Sequence, residues 1–320
     1  MIAGLRLVLT FLLVFCSSPG IAAQYPERPI RYIVPSAAGG GADISARLLT
    51  ADLSSQLKQQ FVIDNRPSSA GLIGMELLVR ARPDGYTLGY GNMTYLAINP
   101  SLVAQLPYNV DRDVELVGQF TSGQNILAVR PSLPVKSVIE LVAYLRNNPG
   151  KLSFASSGNG TTLHLSGELF KQLTGTQMVH VPYKAVQQAI TELIAGQVDL
   201  IFDNQPSIGP HVLAGRVRAL AVTGPRHSIA FPELPTIAEA GVPGYEITTW
   251  TAMIAPKGVP KPIIAHLNAG IAQACASLRA KLEASGQECA TKSPEEFARF
   301  VKKEQVKWGD IVRKSGAKVD

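Results

Sequence analysis

The hydrophobic pattern along the chain alternates between two periods. Short apolar runs that suit strands, such as Ile30–Val34 and Phe61–Ile63, are separated by stretches in which apolar positions recur every three or four residues. The stretch Ala42–Lys58, with apolar residues at 44, 48, 49, 53 and 57, is typical of a helix with one buried face. Strands that alternate with helices in this way predict parallel sheets covered by helices, so the expected fold class is α/β.

Capping motifs mark where two later helices begin. Ser137–Glu140 and Ser293–Glu296 each place a serine three residues before a glutamate, which is the pattern of a capping box. These two helices are predicted over 137–147 and 293–314, and the others over 71–81, 161–173, 185–195 and 262–278. The remaining predicted strands are 86–90, 126–129, 152–154, 179–181, 198–202 and 217–222.

The first residues carry a pattern of their own. Arg6 precedes the apolar run Leu7–Phe15, helix breakers follow at Pro19 and Gly20, and small residues end at Ala23. This pattern predicts a cleavable signal peptide over residues 1–23, because the apolar run is shorter than the span of about 20 residues that a membrane helix needs. We therefore expect secretion to the periplasm.

The cysteines fit an exported protein. Cys16 lies in the predicted signal peptide, and Phe15 before it is too bulky for lipoprotein processing. Cys275 and Cys289 remain, and in an oxidising compartment two leftover cysteines are expected to form a disulfide. Neither has the close Cys or His neighbours of a zinc site, so no metal is expected.

The charge balance gives little support to one class of function. The formal net charge is +6, and it falls by one when Arg6 leaves with the signal peptide. No Lys/Arg block or interleaved aromatic stripe accompanies this mild excess, so nucleic-acid binding is poorly supported. A modest positive field suits an anionic ligand, and ordinary solubility charge explains it equally well.

Two segments, Pro35–Asp43 and Ala155–Thr162, share one design. In each, a strand ends in small residues and a helix begins. Glycine lets backbone N–H groups turn toward a ligand, and the unpaired N–H groups of a helix start attract carboxylates. Neither segment carries Arg or Lys, so neutral donors would hold the anion. Such turns are also glycine-rich for steric reasons alone.

A series of short motifs runs through the mature chain in a fixed order. These motifs lie within Tyr25–Ile30, Pro35–Arg47, Asn65–Pro67, Pro83–Leu88, Ala97–Pro100, Ser156–Gly160, His164–Phe170, Val179–Lys184, Gly196–Asp199, Ala219–Thr223, Pro235–Gly241 and Ala255–Pro256. In their order and spacing, the chain closely resembles the tripartite tricarboxylate transporter receptor family, also called Bug receptors.

The resemblance implies a two-lobed periplasmic-binding-protein (Venus-flytrap) fold with two crossover strands. Lobe one would hold residues 24–121 and 249–320, lobe two residues 122–248, and the chain would cross near Thr121 and Thr248. Family members bind carboxylates through backbone amides, small hydroxyls and bridging waters. Their partners are the membrane permease subunits of a tripartite transporter, and we expect the receptor itself to be a monomer.

The chain departs from the family pattern at two places. Ser36–Ala38 stands where the first loop usually reads Phe-Pro-Pro, which makes this loop roomier. Ala185 replaces the usual Gly, and Gln187 and Gln188 stand where small or apolar residues and a Pro are common. These changes bear on the identity of the ligand and hint at a larger one.

Candidate ligand contacts are expected where strands end at the cleft. Asp203 ends one predicted strand and Asn92 follows another, whereas Asp43 could equally stabilise its helix end or hold a water against the ligand. The candidate ligand-binding residues are Ser36, Ala38, Gly39, Gly40, Gly41, Asp43, Asn92, Ser157, Asn159, Gly160, Thr161, Thr162 and Asp203.

Other conspicuous side chains have more ordinary interpretations. His164 and His180 are expected to serve packing or hydrogen bonding, Lys184 to be exposed, and Trp250 to lie in the core. No nucleotide-binding glycine loop, metalloprotease motif or nucleophile elbow occurs, and no cofactor is expected.

Three functions remain open on these grounds. The favoured one is a solute-binding receptor that captures a small organic acid for a secondary transporter. A ligand sensor that docks on a signalling protein would use the same pocket. An enzyme would need a nucleophile and base, and although Ser157, His164 and Asp203 can be imagined together, their spacing does not require it.

Overall fold

The fold is taken from a computed structural model that describes residues 25–315. The predicted signal peptide, with Cys16, lies outside these residues. The strands are β1 Ile30–Val34, β2 Phe61–Asn65, β3 Thr87–Asn92, β4 Val114–Val129, β5 Ser153–Ser156, β6 Val179–Pro182, β7 Leu200–Asn204, β8 Arg218–Val222, β9 Thr248–Pro256 and β10 Gln287–Cys289. The α-helices are α1 Gly41–Leu57, α2 Leu72–Val79, α3 Asn99–Leu102, α4 Val110–Asp113, α5 Val138–Asn147, α6 Thr162–Thr174, α7 Val186–Ala195, α8 Gln205–Leu213, α9 Lys261–Ala284 and α10 Pro294–Ser315.

The predicted α/β class is confirmed, with strands in the order β2-β1-β3-β9-β4-β7-β5-β6. Strands β1, β2 and β3 pair in parallel, and so do β5, β6 and β7. The long strands β4 and β9 are antiparallel to each other and to their other neighbours. The predicted parallel groups are present, and the two expected crossover strands, β4 and β9, run antiparallel between them.

Strand β4 joins the two parallel groups. Its first part, from Val114 to Gln124, pairs with β9, and its last part, from Asn125 to Val129, pairs with β7. The sequence predicted only 126–129 of it, because Gly118, Gly123 and the polar residues between them hide the strand pattern. A strand shared by both groups couples them without a flexible linker.

Helix α1 buries one face as predicted, with one exception. In α1 the buried residues include Ala46, Leu49 and Leu53, at helical spacing. Ile44, which the pattern placed on the apolar face, is 36% exposed. None of the described helices is both long and apolar enough to cross a membrane.

A buried carboxylate connects β9 to α10. Glu304 accepts hydrogen bonds from the indole nitrogens of Trp250, at 2.9 Å, and Trp308, at 3.1 Å. All three side chains are buried. Trp250 lies in the core, as the sequence suggested, and the two indoles satisfy a charge that would otherwise be costly to bury.

Cys275 on α9 and Cys289 on β10 form a disulfide, with Cα atoms 5.6 Å apart. Cys289 is paired with Thr121 of β4, so the disulfide attaches α9 to the edge of the crossing strand. It therefore restrains the segment that follows α9.

Replacing both cysteines by alanine should lower the free energy of unfolding by about 3 kcal/mol, because the bond closes a loop of about 15 residues. Chemical unfolding of the oxidised wild type and of Cys275→Ala/Cys289→Ala measures the loss. Reduction of the wild type should have the same effect. Equal stability of the oxidised and reduced forms would contradict the prediction.

Candidate functional site

A cavity of about 710 Å³, including its part open to solvent, lies where the two parallel groups of strands face each other. Its walls come from the segments that follow β1, β3, β5, β6 and β7, and from the stretch before α2. The lining residues are Pro35, Ser36, Ala37, Gly40, Gly41, Ala42, Pro67, Ser68, Ala70, Gly71, Asn92, Thr94, Tyr95, Ser157, Thr161, Thr162, Leu163, Lys184, Ala185, Val186, Gln187, Asp203 and Asn204.

Four helices begin at this cavity. The first residues of α1 (Gly41), α6 (Thr162) and α7 (Val186) line it, and so does Asn204, the N-cap of α8. Each helix start carries unpaired N–H groups and a partial positive charge. Lys184 supplies the one cationic side chain of the lining, so most of the positive potential comes from the backbone.

The first loop, Pro35–Gly40, is held from behind by Asp43. One carboxylate oxygen accepts from the N–H of Gly39 and from Nε of Arg47, both at 2.9 Å, and the other accepts from Nδ2 of Asn65 at 3.0 Å. Burial works against ionisation of Asp43, but these partners outweigh it and hold its pKa below the usual value. Asp43 thus positions the loop and does not line the cavity.

The second loop, Ser157–Thr161, is fixed by its own polar groups. Thr161 caps α6, since its Oγ1 accepts from the N–H of His164 at 3.4 Å. The N–H of Gly160 donates to Nδ1 of His164 at 3.1 Å. Gly160 has φ +75°, a left-handed conformation that strains any other residue, so substitution there cannot separate binding from folding.

Two stacked histidines lie behind this loop, and one of them contacts it directly. The rings of His164 and His180 stack at 4.0 Å, and Phe154 stacks against His180 at 4.8 Å. Burial lowers the pKa of His164 to about 4 and that of His180 to about 3. Both are therefore neutral at physiological pH, which leaves Nδ1 of His164 free to accept from Gly160.

Asp203 is the one acidic side chain of the cavity lining. It is 1% exposed, and burial raises its pKa to about 7, although hydrogen bonds from Ser207 and from the N–H of Asn204 oppose the rise. The Ser207 hydroxyl donates to its Oδ2 at 2.6 Å. Near neutral pH the carboxyl is partly protonated, and in that form it can donate to an anion.

The two sides of the cavity meet closely at the first loop. A Cβ on Gly41 would lie 2.9 Å from Oδ1 of Asn204, and one on Gly40 would lie 3.4 Å from Cγ1 of Val186. Only glycine at position 41 permits this approach. Helix α1 accordingly packs against α8.

The structure brings most of the candidate residues to this cavity. Those that line it are Ser36, Gly40, Gly41, Asn92, Ser157, Thr161, Thr162 and Asp203. Those that do not line it are Ala38, Gly39, Asp43, Asn159 and Gly160.

The positions of these five residues have local reasons. Ala38, Gly39 and Asn159 are exposed and lie outside the lining. The N–H groups of Gly39 and Gly160 already donate to Asp43 and His164, respectively. The two loops therefore offer fewer free amides than the sequence suggested.

Part of the lining lies outside the candidate residues expected from the sequence. Asn204, Val186 and Gln187 line the cavity, and Lys184 does so although its side chain is exposed. Their signal was present, since Val186 and Gln187 begin a predicted helix that follows a strand. This helix start lacks the glycines that marked the other two.

The raised pKa of Asp203 predicts a pH-dependent stability. The Asp203 carboxyl stays protonated to about pH 7 in the folded state but only to about pH 3.9 in the unfolded chain. The free energy of unfolding should therefore fall as the pH rises between these two values. The loss should reach ~1.4 kcal/mol per pH unit, and Asp203→Asn should remove it. Urea unfolding at several pH values measures this. Asp310→Asn, at an exposed carboxylate, should keep the wild-type slope.

Gly41 lies so close to Asn204 that a side chain at position 41 should push the two sides of the cavity apart. Gly41→Val should hold the two sides of the cavity apart, and small-angle scattering should show a larger radius of gyration. Ala38→Val, at an exposed position of the same loop, is the matched control. Equal radii for both variants would show that Gly41 does not set the approach.

The geometry agrees with known proteins over nearly the whole chain. A family model described as tripartite tricarboxylate transporter family receptor matches residues 45–317. BugT of Bordetella pertussis is 35% identical over 96% of this chain and 96% of its own. Rpa4515 of R. palustris, solved with adipate, is 38% identical with a TM-score of 0.90, over 92% of this chain and 99% of that one.

A further solved structure, MatC of Rhodopseudomonas palustris with bound malate, is 30% identical with a TM-score of 0.85 and covers 90% of this chain and 100% of that one. The two-lobed fold expected from the sequence is confirmed by these likenesses. The resemblance in sequence, the strand order and the matched family model agree, and the chain belongs to the family of tripartite tricarboxylate transporter receptors.

Proposed function

We propose that this protein is a periplasmic receptor that binds a small organic acid and delivers it to the membrane permease subunits of a tripartite transporter. The observation that carries the proposal is the convergence of four helix starts on one cavity. Such an arrangement is suited to a carboxylate, because it offers hydrogen-bond donors and positive potential at the same place.

The strength of binding follows from these donors. A hydrogen bond to a charged acceptor contributes roughly 1.5–3 kcal/mol, so a few are enough for micromolar affinity after the costs of ordering are met. Two relatives whose structures contain adipate and malate support a carboxylate ligand for this chain as well. Ser36, Gly40, Gly41, Asn92, Ser157, Thr161 and Thr162 are the proposed contacts, with Asp203 on a bridging water or a ligand hydroxyl.

Binding would proceed by closure of two lobes. We assign residues 24–121 and 249–320 to lobe one and 122–248 to lobe two, with the hinge where β4 and β9 cross. Thr121 and Thr251 share a hydrogen bond of 2.8 Å there. A monomer is sufficient for this action, since both sides of the cavity come from one chain.

We assign no catalytic step to this cavity. Ser156 and His180 form a close hydroxyl–imidazole pair, with Oγ and Nε2 2.6 Å apart. Ser156 is completely buried and neither residue lines the cavity, so a substrate could not reach the pair. His164 is engaged by Gly160. The imagined set Ser157, His164 and Asp203 therefore has no free base.

No cofactor or metal enters the proposal. The described residues hold no group of three or more His, Cys, Asp or Glu side chains placed to bind a metal ion. The basic start and short apolar run of residues 1–23 support export to the periplasm.

A ligand screen by thermal unfolding tests the proposal. The mature chain, treated with a chelator, should be stabilised by acids such as adipate, succinate, malate or citrate and not by glucose or putrescine. A ligand at 100 times its dissociation constant adds ~2.7 kcal/mol, which raises the melting temperature by several degrees.

The same screen can refute the proposal. Stabilisation by a neutral sugar or an amine alone would exclude a carboxylate receptor. Loss of acid binding after chelation, restored by a divalent metal, would show that the cavity needs an ion.

A further inference from the structure

One wall of the cavity comes from the Pro67–Gly71 turn, which contains a strained residue. Ala70 lines the cavity and has φ +50°, in the left-handed region that residues other than glycine rarely adopt. Lys58 is the other such residue among those the structure describes, and it caps the end of α1, where this conformation is common. Ala70 precedes a helix, so capping does not account for it. Strain of this kind persists only where the surroundings hold it, and it gathers at binding sites.

The Pro67–Gly71 turn is packed against Tyr95, which also lines the cavity. A Cβ on Gly71 would overlap the ring of Tyr95, so only glycine fits there. The Tyr95 hydroxyl donates to the carbonyl of Pro35 at 2.9 Å, which links this wall to the first loop. Packing therefore sets where the turn lies, whereas the left-handed conformation of Ala70 needs a hold of its own.

A side chain outside the turn provides this hold. Nδ2 of Asn99 donates to the carbonyl of Ala70 at 2.8 Å and to Oη of Tyr108 at 3.0 Å. Tyr108 gives its own hydrogen to the carbonyl of Tyr95 at 2.7 Å, so its Oη must accept, and the Asn99 amide is oriented with its nitrogen toward both acceptors. Asn99 is completely buried and does not line the cavity. It lies in the Ala97–Pro100 motif, to which the proposed ligand contacts assign no role.

We infer that Asn99 is a positioning residue for the ligand, which acts by holding Ala70 in the left-handed conformation before a ligand arrives. The inference rests on the proposed function. Without the Asn99 amide, Ala70 would relax toward an ordinary conformation and the wall would change shape. A ligand would then have to restore the wall on binding, which weakens its affinity. Glycine at position 70 adopts the left-handed conformation without strain, so it should make the hold unnecessary.

Calorimetric titration of the mature chain tests the inference, with whichever of adipate, malate and citrate the wild type binds most tightly. Asn99→Ala should raise the dissociation constant about tenfold, the factor that matches the strain of one left-handed residue. Adding Ala70→Gly to Asn99→Ala should restore most of the lost affinity. Melting temperatures without ligand establish that each variant is folded.

Lys58→Gly is the matched control. It relieves the same kind of strain at an exposed position that does not line the cavity, so it should raise the melting temperature as Ala70→Gly does. Added to Asn99→Ala, it should leave the weakened binding unchanged. A purely structural role of Asn99 would make the two glycines equivalent.

The possible failures are distinct. If the wild type binds none of the acids, the proposed function fails. If Asn99→Ala binds as tightly as the wild type, if Ala70→Gly restores nothing, or if Lys58→Gly restores as much, the proposed function stands and this inference is overturned. Asn99→Ser, which keeps a polar group in the buried position, replaces Asn99→Ala if that variant does not fold. Failure of both to fold would show that Asn99 serves the fold, and would also overturn the inference.

Discussion

The antiparallel pairing of β4 with β9 is the constraint on which the rest of the structure depends. The pairing runs from Val114–Pro256 at one end to Gln124–Thr248 at the other. One parallel group of strands is attached to β9 and the other to the far end of β4. The ends of β1 and β7 therefore face each other, and the cavity exists because the two long strands set the distance between them.

The positive character of the site is built largely into the backbone. Side-chain charges within the cavity lining are limited to exposed Lys184 and buried, partly protonated Asp203. Donors that belong to helix starts need no reorientation when an anion arrives, so little is lost in ordering them. The side chains are then free to determine which anion is accepted, and they differ from the family pattern at Ser36 and Gln187.

Much of this could be predicted from the sequence, because strand–turn–helix units have a local signature. The units around Gly41 and Thr162 were located in this way. The sequence could not show that Asp43 folds back onto the N–H of Gly39, or that His164 takes the N–H of Gly160, since both depend on side-chain direction. Nor could it show that α7 reaches the first loop, because that contact depends on how the crossing strands place two distant helices.

The buried pair of indoles on Glu304 has an optical consequence. Trp250 and Trp308 are the two tryptophans of the sequence, and both donate to one carboxylate beside the crossing strand β9. Neither lines the ligand cavity. The tryptophan emission of the protein thus originates where β9 pairs with β4, and it reports on the surroundings of the Glu304 carboxylate.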